Sequence, residues 1–544
     1  MKNTFYAIIA LLFTACNNQS KVDLILKNGL VYTVDSLNSK TSTFAVKDGK
    51  FVAIGDSATI FSKYSSDSIV DAAGKSVFPG LYDNHAHFYG LGQMLDQADL
   101  VGTISQEEII TRLQEFYKIH PEKVWILGRG WDQNDWGVKA FPSKEILDKA
   151  FPNNPVYLTR IDGHAAWINS KAIQLAKITA QSKVEGGEVK IEKGQPSGIL
   201  IDNATRLARV ANPKPTDTEI KNQLLNAEKV CFSYGLTSVG DAGLSPEIID
   251  KIDKLQKDDA LKIRLYAMVS LSQENVDYYL KKGTYQTDRL NVRSFKLYAD
   301  GALGSRGACL LKPYSDSPET NGLMLLSPAE LENFVKQIAN SGFQANTHCI
   351  GDSSNRLMLN LYAKYLKGKN NRRWRIEHAQ IIDKADIDKF GRYSIIPSVQ
   401  PTHATSDMYW AGQRLGKIRE KNGYIFKDLY NQNQIISFGT DFPVEAVSPF
   451  YTFHSAVFRQ DAKNFPVGGY QPENALDRIQ SLRAMTIWSA YSNFEEKRRG
   501  SIEVGKDADF IITDKDLMTA PAPELREVKV LKTFVAGQKV FEQK

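Results

Sequence analysis

Cysteine is scarce in this chain. Only Cys16, Cys231, Cys309 and Cys349 occur in 544 residues, with no CxxC spacing among them. If Cys16 is set apart, an odd number remains, so a disulfide framework does not organise the fold; buried thiols are expected, with a Cys231–Cys309 bridge left open. Long basic runs are missing too, and a net charge of +6 is small for this length. The charges therefore read as solvated surface, and nucleic acid is not an expected partner. No internal repeat or low-complexity segment occurs. Histidine is also rare, eight in all, so any clustering of it carries weight.

What is present begins with a processing signal. Lys2 precedes an apolar stretch from Phe5 to Phe13 that is too short to span a bilayer. Leu12-Phe13-Thr14-Ala15-Cys16 then resembles the lipobox of bacterial lipoproteins, with Phe13 where Leu is commoner. The expectation is a signal peptide over residues 1–15 and lipidation of Cys16. The protein would then be exported and lipid-anchored to a bacterial membrane; an ordinary secretory cut near Ala15 is the alternative.

Composition is that of a globular protein, 42% hydrophobic and 24% charged. From Val22 to about Asp71 the pattern is short and strand-like, with Lys27-Asn28-Gly29 and Lys47-Asp48-Gly49-Lys50 as hairpin signals. The tail, with Ala508-Asp509-Phe510-Ile511-Ile512 and Val528 to Val535, is similar. Residues 22–75 and 485–544 thus predict one small β-sandwich built from both termini. Between them, apolar β-branched runs alternate with helical stretches, the pattern of βα units. Eight such runs are placed at Val77–His85, Ser238–Ala242, Ile263–Ser270, Ser294–Asp300, Gln344–Ile350, Arg372–His378, Ile395–Thr402 and Ile435–Asp441. Eight is the number a (β/α)8 barrel requires. The fold class is therefore α/β, a TIM-like barrel over 76–484 with a long insertion, 93–209, after the first strand. That insertion is too long for a loop and reads as a cap.

The strongest local signal is Pro79-Gly80-Leu81-Tyr82-Asp83-Asn84-His85-Ala86-His87. Alternate strand residues share a face, so His85 and His87 can meet one cation. His348, His378 and Asp441 also close strand-like runs. Each alone is compatible with a structural role. Together they fall at strand C-termini, where barrel active sites form, and imidazole and carboxylate suit Zn²⁺ and similar ions.

These residues, with Gly500-Ser501-Ile502-Glu503-Val504-Gly505-Lys506-Asp507-Ala508-Asp509, resemble the amidohydrolase superfamily. Lys296-Leu297-Tyr298-Ala299-Asp300-Gly301-Ala302-Leu303-Gly304-Ser305-Arg306 is similar to the amidohydrolase-3 branch, which includes N-substituted formamide deformylases. Gly130-Trp131-Asp132, Asp162-Gly163-His164 and Gly235-Leu236-Thr237-Ser238 resemble that branch as well. The resemblance spans nearly the whole chain after Cys16.

It implies a metal-dependent hydrolase with one or two divalent ions, zinc foremost. His85 and His87 would hold one and His348 and His378 a second. Lys296 would be carboxylated to bridge them, or remain an unmodified lysine beside a single ion. Asp441 would be both ligand and general base, then acid, for hydroxide attack on a carbonyl, since metal lowers the pKa of bound water to about 7. Asp83 lies deeper on the same strand face and suits support of the ligands. Trp131, His164, Arg306 and His403 are candidates for touching substrate, each with a structural alternative. The expected reaction is hydrolysis of a carbon–nitrogen bond in a small amide, formamide or cyclic amide. Ester or lactone hydrolysis, deamination and a non-catalytic ligand-binding lipoprotein are the alternatives.

Overall fold

A computed structural model describes residues 19–544 except 162, 164, 185, 186, 203, 212 and 213. The expected signal peptide over residues 1–15, Cys16 and His164 lie outside the described residues. The described residues form two compact units: residues 19–86, 230–246 and 262–544 the first, and 87–229 with 247–261 the second.

The first unit contains eight parallel strands in sequential order. We label them β1 (Leu81–Ala86), β2 (Leu236–Leu244), β3 (Arg264–Ser270), β4 (Leu290–Tyr298), β5 (Gln344–Cys349), β6 (Arg375–His378), β7 (Ile396–Val399) and β8 (Ser437–Phe438). Closure between β8 and β1 comes from the Asp441 amide, which donates to the His85 carbonyl at 2.8 Å. Gly439 permits that approach: a Cβ there would lie 2.5 Å from the His85 carbonyl oxygen and 2.7 Å from its nitrogen. The fold is a nearly closed (β/α)8 barrel with a separate β domain, as its sequence predicts.

Most strand limits differ from the sequence reading by a few residues, and two of the differences change what the segment does. The run from Val77 to His85 divides at Gly80: Ser76–Pro79 joins a terminal sheet, whereas β1 opens the barrel. A Cβ on Gly80 would meet Thr237 Oγ1 at 2.2 Å, so the chain turns there without a side chain. Past β7, residues Pro401–Asp407 form a helix, with Pro401 at its first turn.

The terminal strands make two sheets. One, wholly N-terminal, orders Lys50–Gly55, Thr43–Lys47, Leu24–Lys27 and Ile69–Asp71. The other has six strands and places the C-terminal Phe510–Thr513 directly against Ser76–Pro79. Leu26, Phe44 and Phe51 of the first sheet share a core with Val77, Phe510 and Phe534 of the second, which makes the pair a sandwich. Phe510 stacks on Phe534 with centroids 4.3 Å apart and meets Phe44 edge-on at 4.9 Å. Arg264 at the start of β3 grips Asp509 through Nε and Nη2 at 2.6 and 2.9 Å, tying barrel to sandwich.

The second unit has a six-stranded mixed sheet in the order Ala98–Asp99, Ile126–Trp131, Val156–Arg160, Ala165–Ile168, Gln195–Asp202, Gly187–Glu192. Its core centres on Trp131, Trp136 and Trp167 with Leu100, Ile109 and Leu113. Among the described residues no disulfide forms; Cys231, Cys309 and Cys349 carry thiols.

Candidate metal centre

β1 delivers His85 to the barrel interior with no exposed surface. His85, His87 and Asp441 each offer a ligand atom, and these atoms lie within 4.8 Å of one another. His378, His403 and Asp441 form a second such set, so Asp441 is common to both. His348, expected beside His378, packs on it with ring centroids 4.5 Å apart, and its Nε2 lies 3.9 Å from Asp300 Oδ1. His403 Nε2 lies 4.0 Å from Asp441 Oδ2. Lys296 is buried in β4 with Nζ 3.0 Å from His85 Nε2 and 4.8 Å above the Tyr298 ring, as expected for residues i and i+2 on one strand face.

Two of the site residues have left-handed backbone. His378 and Asp441 have φ of 72° and 62°, left-handed values uncommon outside glycine. At His378 this turn defeats strand alternation. Glu377 and His378 are sequence neighbours, yet the Glu377 carboxylate is 2.5 Å from His85 Nδ1 while the His378 ring centroid is 4.8 Å from that of His85.

The electrostatics favour neutral imidazoles, the ligating form. Burial, reinforced by the Lys296 charge, lowers His85 to about 4 and His348 to about 3, and burial holds His378 well below its ordinary value. Burial also brings Lys296 down to about 8. Burial opposes ionisation of Glu377, but Arg375 and His85 overcome it and hold the carboxylate at about 2. Asp83 is pushed up to about 7 by burial, against hydrogen bonds from Thr440. It accepts from the Thr440 amide at 3.1 Å and hydroxyl at 2.7 Å, bracing β1 against the segment that carries Asp441.

These groups fit a divalent cation. His348 Nε2 and His403 Nε2 are buried without a hydrogen-bond partner among the described residues, which is costly unless something takes up their lone pairs. His378 Nδ1 is 2.6 Å from Gln400 Oε1, an acceptor that puts the proton on Nδ1 and leaves Nε2 to coordinate. A zinc–nitrogen bond of about 2.0–2.1 Å is compatible with ligand sets on this scale after small side-chain shifts.

Other sequence candidates lie in structural settings. Trp131 is fully buried in the second unit, with Nε1 donating to the Leu158 carbonyl at 2.9 Å. Packing, the alternative weighed for it, is the setting the structure gives it. Arg306 pairs with Asp316 at 3.2 and 3.0 Å, and Arg414 joins the same carboxylate, so this guanidinium is engaged in fixing its own loop. Asp300 also orders a loop, accepting from the Ile350, Gly351 and Cys309 amides and the Ser354 hydroxyl.

Sequence reasoning missed Glu377, Gln400 and Tyr298. Glu377 precedes a ligand-like histidine in Arg375-Ile376-Glu377-His378, and strand alternation alone would put it on the face opposite that histidine. The Tyr298 phenol is held up at about 12 by burial and the nearby Asp441, so it remains a donor.

A parallel barrel with imidazoles and a shared carboxylate at its C-terminal rim defines a metal-dependent hydrolase. The chain belongs to the amidohydrolase family, whose model matches residues 68–541. It is 31% identical over 537 residues to Protein LONG AFTER FAR-RED 3 of Arabidopsis thaliana, covering 95% of this chain and 91% of that one. It is 25% identical over 548 residues to the N-substituted formamide deformylase of Arthrobacter pascens, covering 96% and 98%. Among solved structures, an uncharacterized metal-dependent hydrolase from Pyrococcus furiosus superimposes with a TM-score of 0.78 at 28% identity, covering 91% of this chain and all of that one.

Proposed function

We propose that this protein hydrolyses a carbon–nitrogen bond other than a peptide bond in a small molecule such as an amide, formamide or cyclic amide. The observation that carries the reading is Asp441: one carboxylate belongs to both imidazole sets and sits on strained backbone at the end of β8. The formamide deformylase relative supports the choice of bond. His85, His87, His378, His348 and His403 would hold one or two divalent ions, zinc by the preference of such a donor set. The metal supplies Lewis acidity toward a carbonyl oxygen and makes water nucleophilic near neutral pH. Asp441 takes the proton at its carboxylate and returns it to the departing nitrogen. Lys296, whose buried amine is depressed to about 8, is neutral more readily than an ordinary lysine. A neutral amine is the form that adds carbon dioxide, and carboxylation at Nζ would give the anion two adjacent cations require.

The test is a panel of N-formyl amines, amides, lactams and lactones on zinc-reconstituted protein, with Asp441→Asn as control. The expected result is turnover of C–N substrates, with kcat/KM reduced about 10²–10⁴-fold by the substitution, the usual contribution of general acid–base catalysis. Undiminished activity in Asp441→Asn would overturn the mechanism. A panel in which only lactones react would overturn the bond assignment.

A further inference from the structure

Glu377 belongs to neither set of ligand atoms, yet its carboxylate is fully buried against one of the ligands. Its Oε1 accepts from Arg375 Nε at 2.6 Å, and its Oε2 lies 2.5 Å from His85 Nδ1. A carboxylate beside a guanidinium is ionised and can only accept. The imidazole proton must therefore sit on Nδ1, which leaves the lone pair on Nε2. That nitrogen is the one facing the site, 3.0 Å from Lys296 Nζ and 3.6 Å from Asp441 Oδ1.

Arg375 is itself held. Its Nη1 donates to Asn84 Oδ1 at 2.9 Å and to Asn493 Oδ1 at 2.7 Å, and Asn493 Nδ2 donates back to Asn84 Oδ1 at 2.7 Å. Asn84 precedes His85 in β1, so the backbone and the ring of this ligand are gripped through the same arginine. We infer that Glu377 is a positioning residue for the metal centre: it fixes the Nδ1–H tautomer and ring plane of His85 so that Nε2 meets the ion, with Arg375 clamping the carboxylate. This rests on the proposed binding of metal at His85. Outer partners of this kind typically change metal affinity by about 10–100-fold.

Glutamine at 377 offers an oxygen or an NH2 to Nδ1 and so releases the tautomer, but it leaves Arg375 without its carboxylate. A second variant, Arg375→Met with Glu377→Gln, removes both charges together. Zinc affinity of the full chain would be measured by competition with a chromophoric chelator, alongside near-UV circular dichroism. Selectively ¹⁵N-histidine-labelled wild type, stripped of metal, would report the His85 tautomer by NMR, its signals identified by their absence in His85→Gln. The expected result is a protonated Nδ1 in wild type and zinc binding about 10–100-fold weaker in folded variants. A wild-type His85 protonated at Nε2 overturns the inference, as does affinity within twofold of wild type in both variants. Failure of wild type to bind zinc instead defeats the metal reading and leaves the tautomer measurement standing; if the variants misfold, that measurement decides.

Discussion

Trp131 has its indole enclosed by Trp136 and Trp167, with ring centroids 6.0 Å away in each case, and its one polar atom spent on a strand carbonyl. A side chain so placed acts through packing. Trp131→Ala should destabilise the second unit by about 3–5 kcal/mol, the usual cost of emptying a buried aromatic site. Denaturant unfolding should show a lowered midpoint, and KM in the residual folded fraction should be unchanged. A raised KM at wild-type stability would restore the substrate-contact role that its sequence also allowed. Other single residues were legible for the opposite reason: His85, His87, His348, His378 and Asp441 stand at strand ends, where a sequence pattern points directly to a position in space. Glu377 was not, because its partner His85 is 292 residues away and strand alternation points it elsewhere until the positive φ of His378 is known.

At the level of elements, the barrel was readable because its strands recur as short separate runs between helical stretches, several of them carrying β-branched residues. The limits were less so. Pro79-Gly80 is a turn-marking dipeptide, but the sequence around it does not say that the two halves join different sheets; at Gly80 the space of a side chain is taken by Thr237. The hairpin expected at Asp48-Gly49 joins Thr43–Lys47 to Lys50–Gly55, but Asn28-Gly29 instead carries the chain from one sheet to the other, and the pairing of Phe510–Thr513 with Ser76–Pro79 joins segments more than 400 residues apart. Closure of β8 on β1 carries a prediction. Because a Cβ on Gly439 would collide with His85 backbone rather than with a flexible side chain, Gly439→Ala must push the two strands apart. The stability cost should be about 1–3 kcal/mol, as for other overpacked sites. Displacing Asp441 by even ~1 Å should lower kcat/KM by about 10²-fold. Thermal melts with zinc content and steady-state kinetics would check both, and wild-type kinetics would show that β1 and β8 are not closed through this glycine.

For the molecule as a whole, the first unit depends on joining the two ends of the chain to the barrel between them. The Arg264–Asp509 pair is central to that join, because Asp509 also accepts from the Ala536 amide at 2.8 Å beside the last hairpin. Burial works against the Asp509 charge, but Arg264 and then Arg499 outweigh it, so its pKa in the folded state lies below the ordinary value. A carboxylate depressed in this way contributes stability that is fully present above its unfolded pKa, about 3.9, and is lost as pH falls through the lower folded value. Asp509→Asn removes that contribution and leaves the buried Arg264 guanidinium with the more distant Asp507 carboxylate at 3.6 Å; breaking a buried pair costs about 3–5 kcal/mol, so the loss near neutrality should fall at or below that range. The difference in melting temperature between wild type and Asp509→Asn should therefore be large and constant from pH 7 down to about 5. It should then shrink below about pH 4 as wild type protonates the same group. A difference that stays constant into strong acid would mean that Asp509 acts through its shape and its bond to Ala536, and not through its charge.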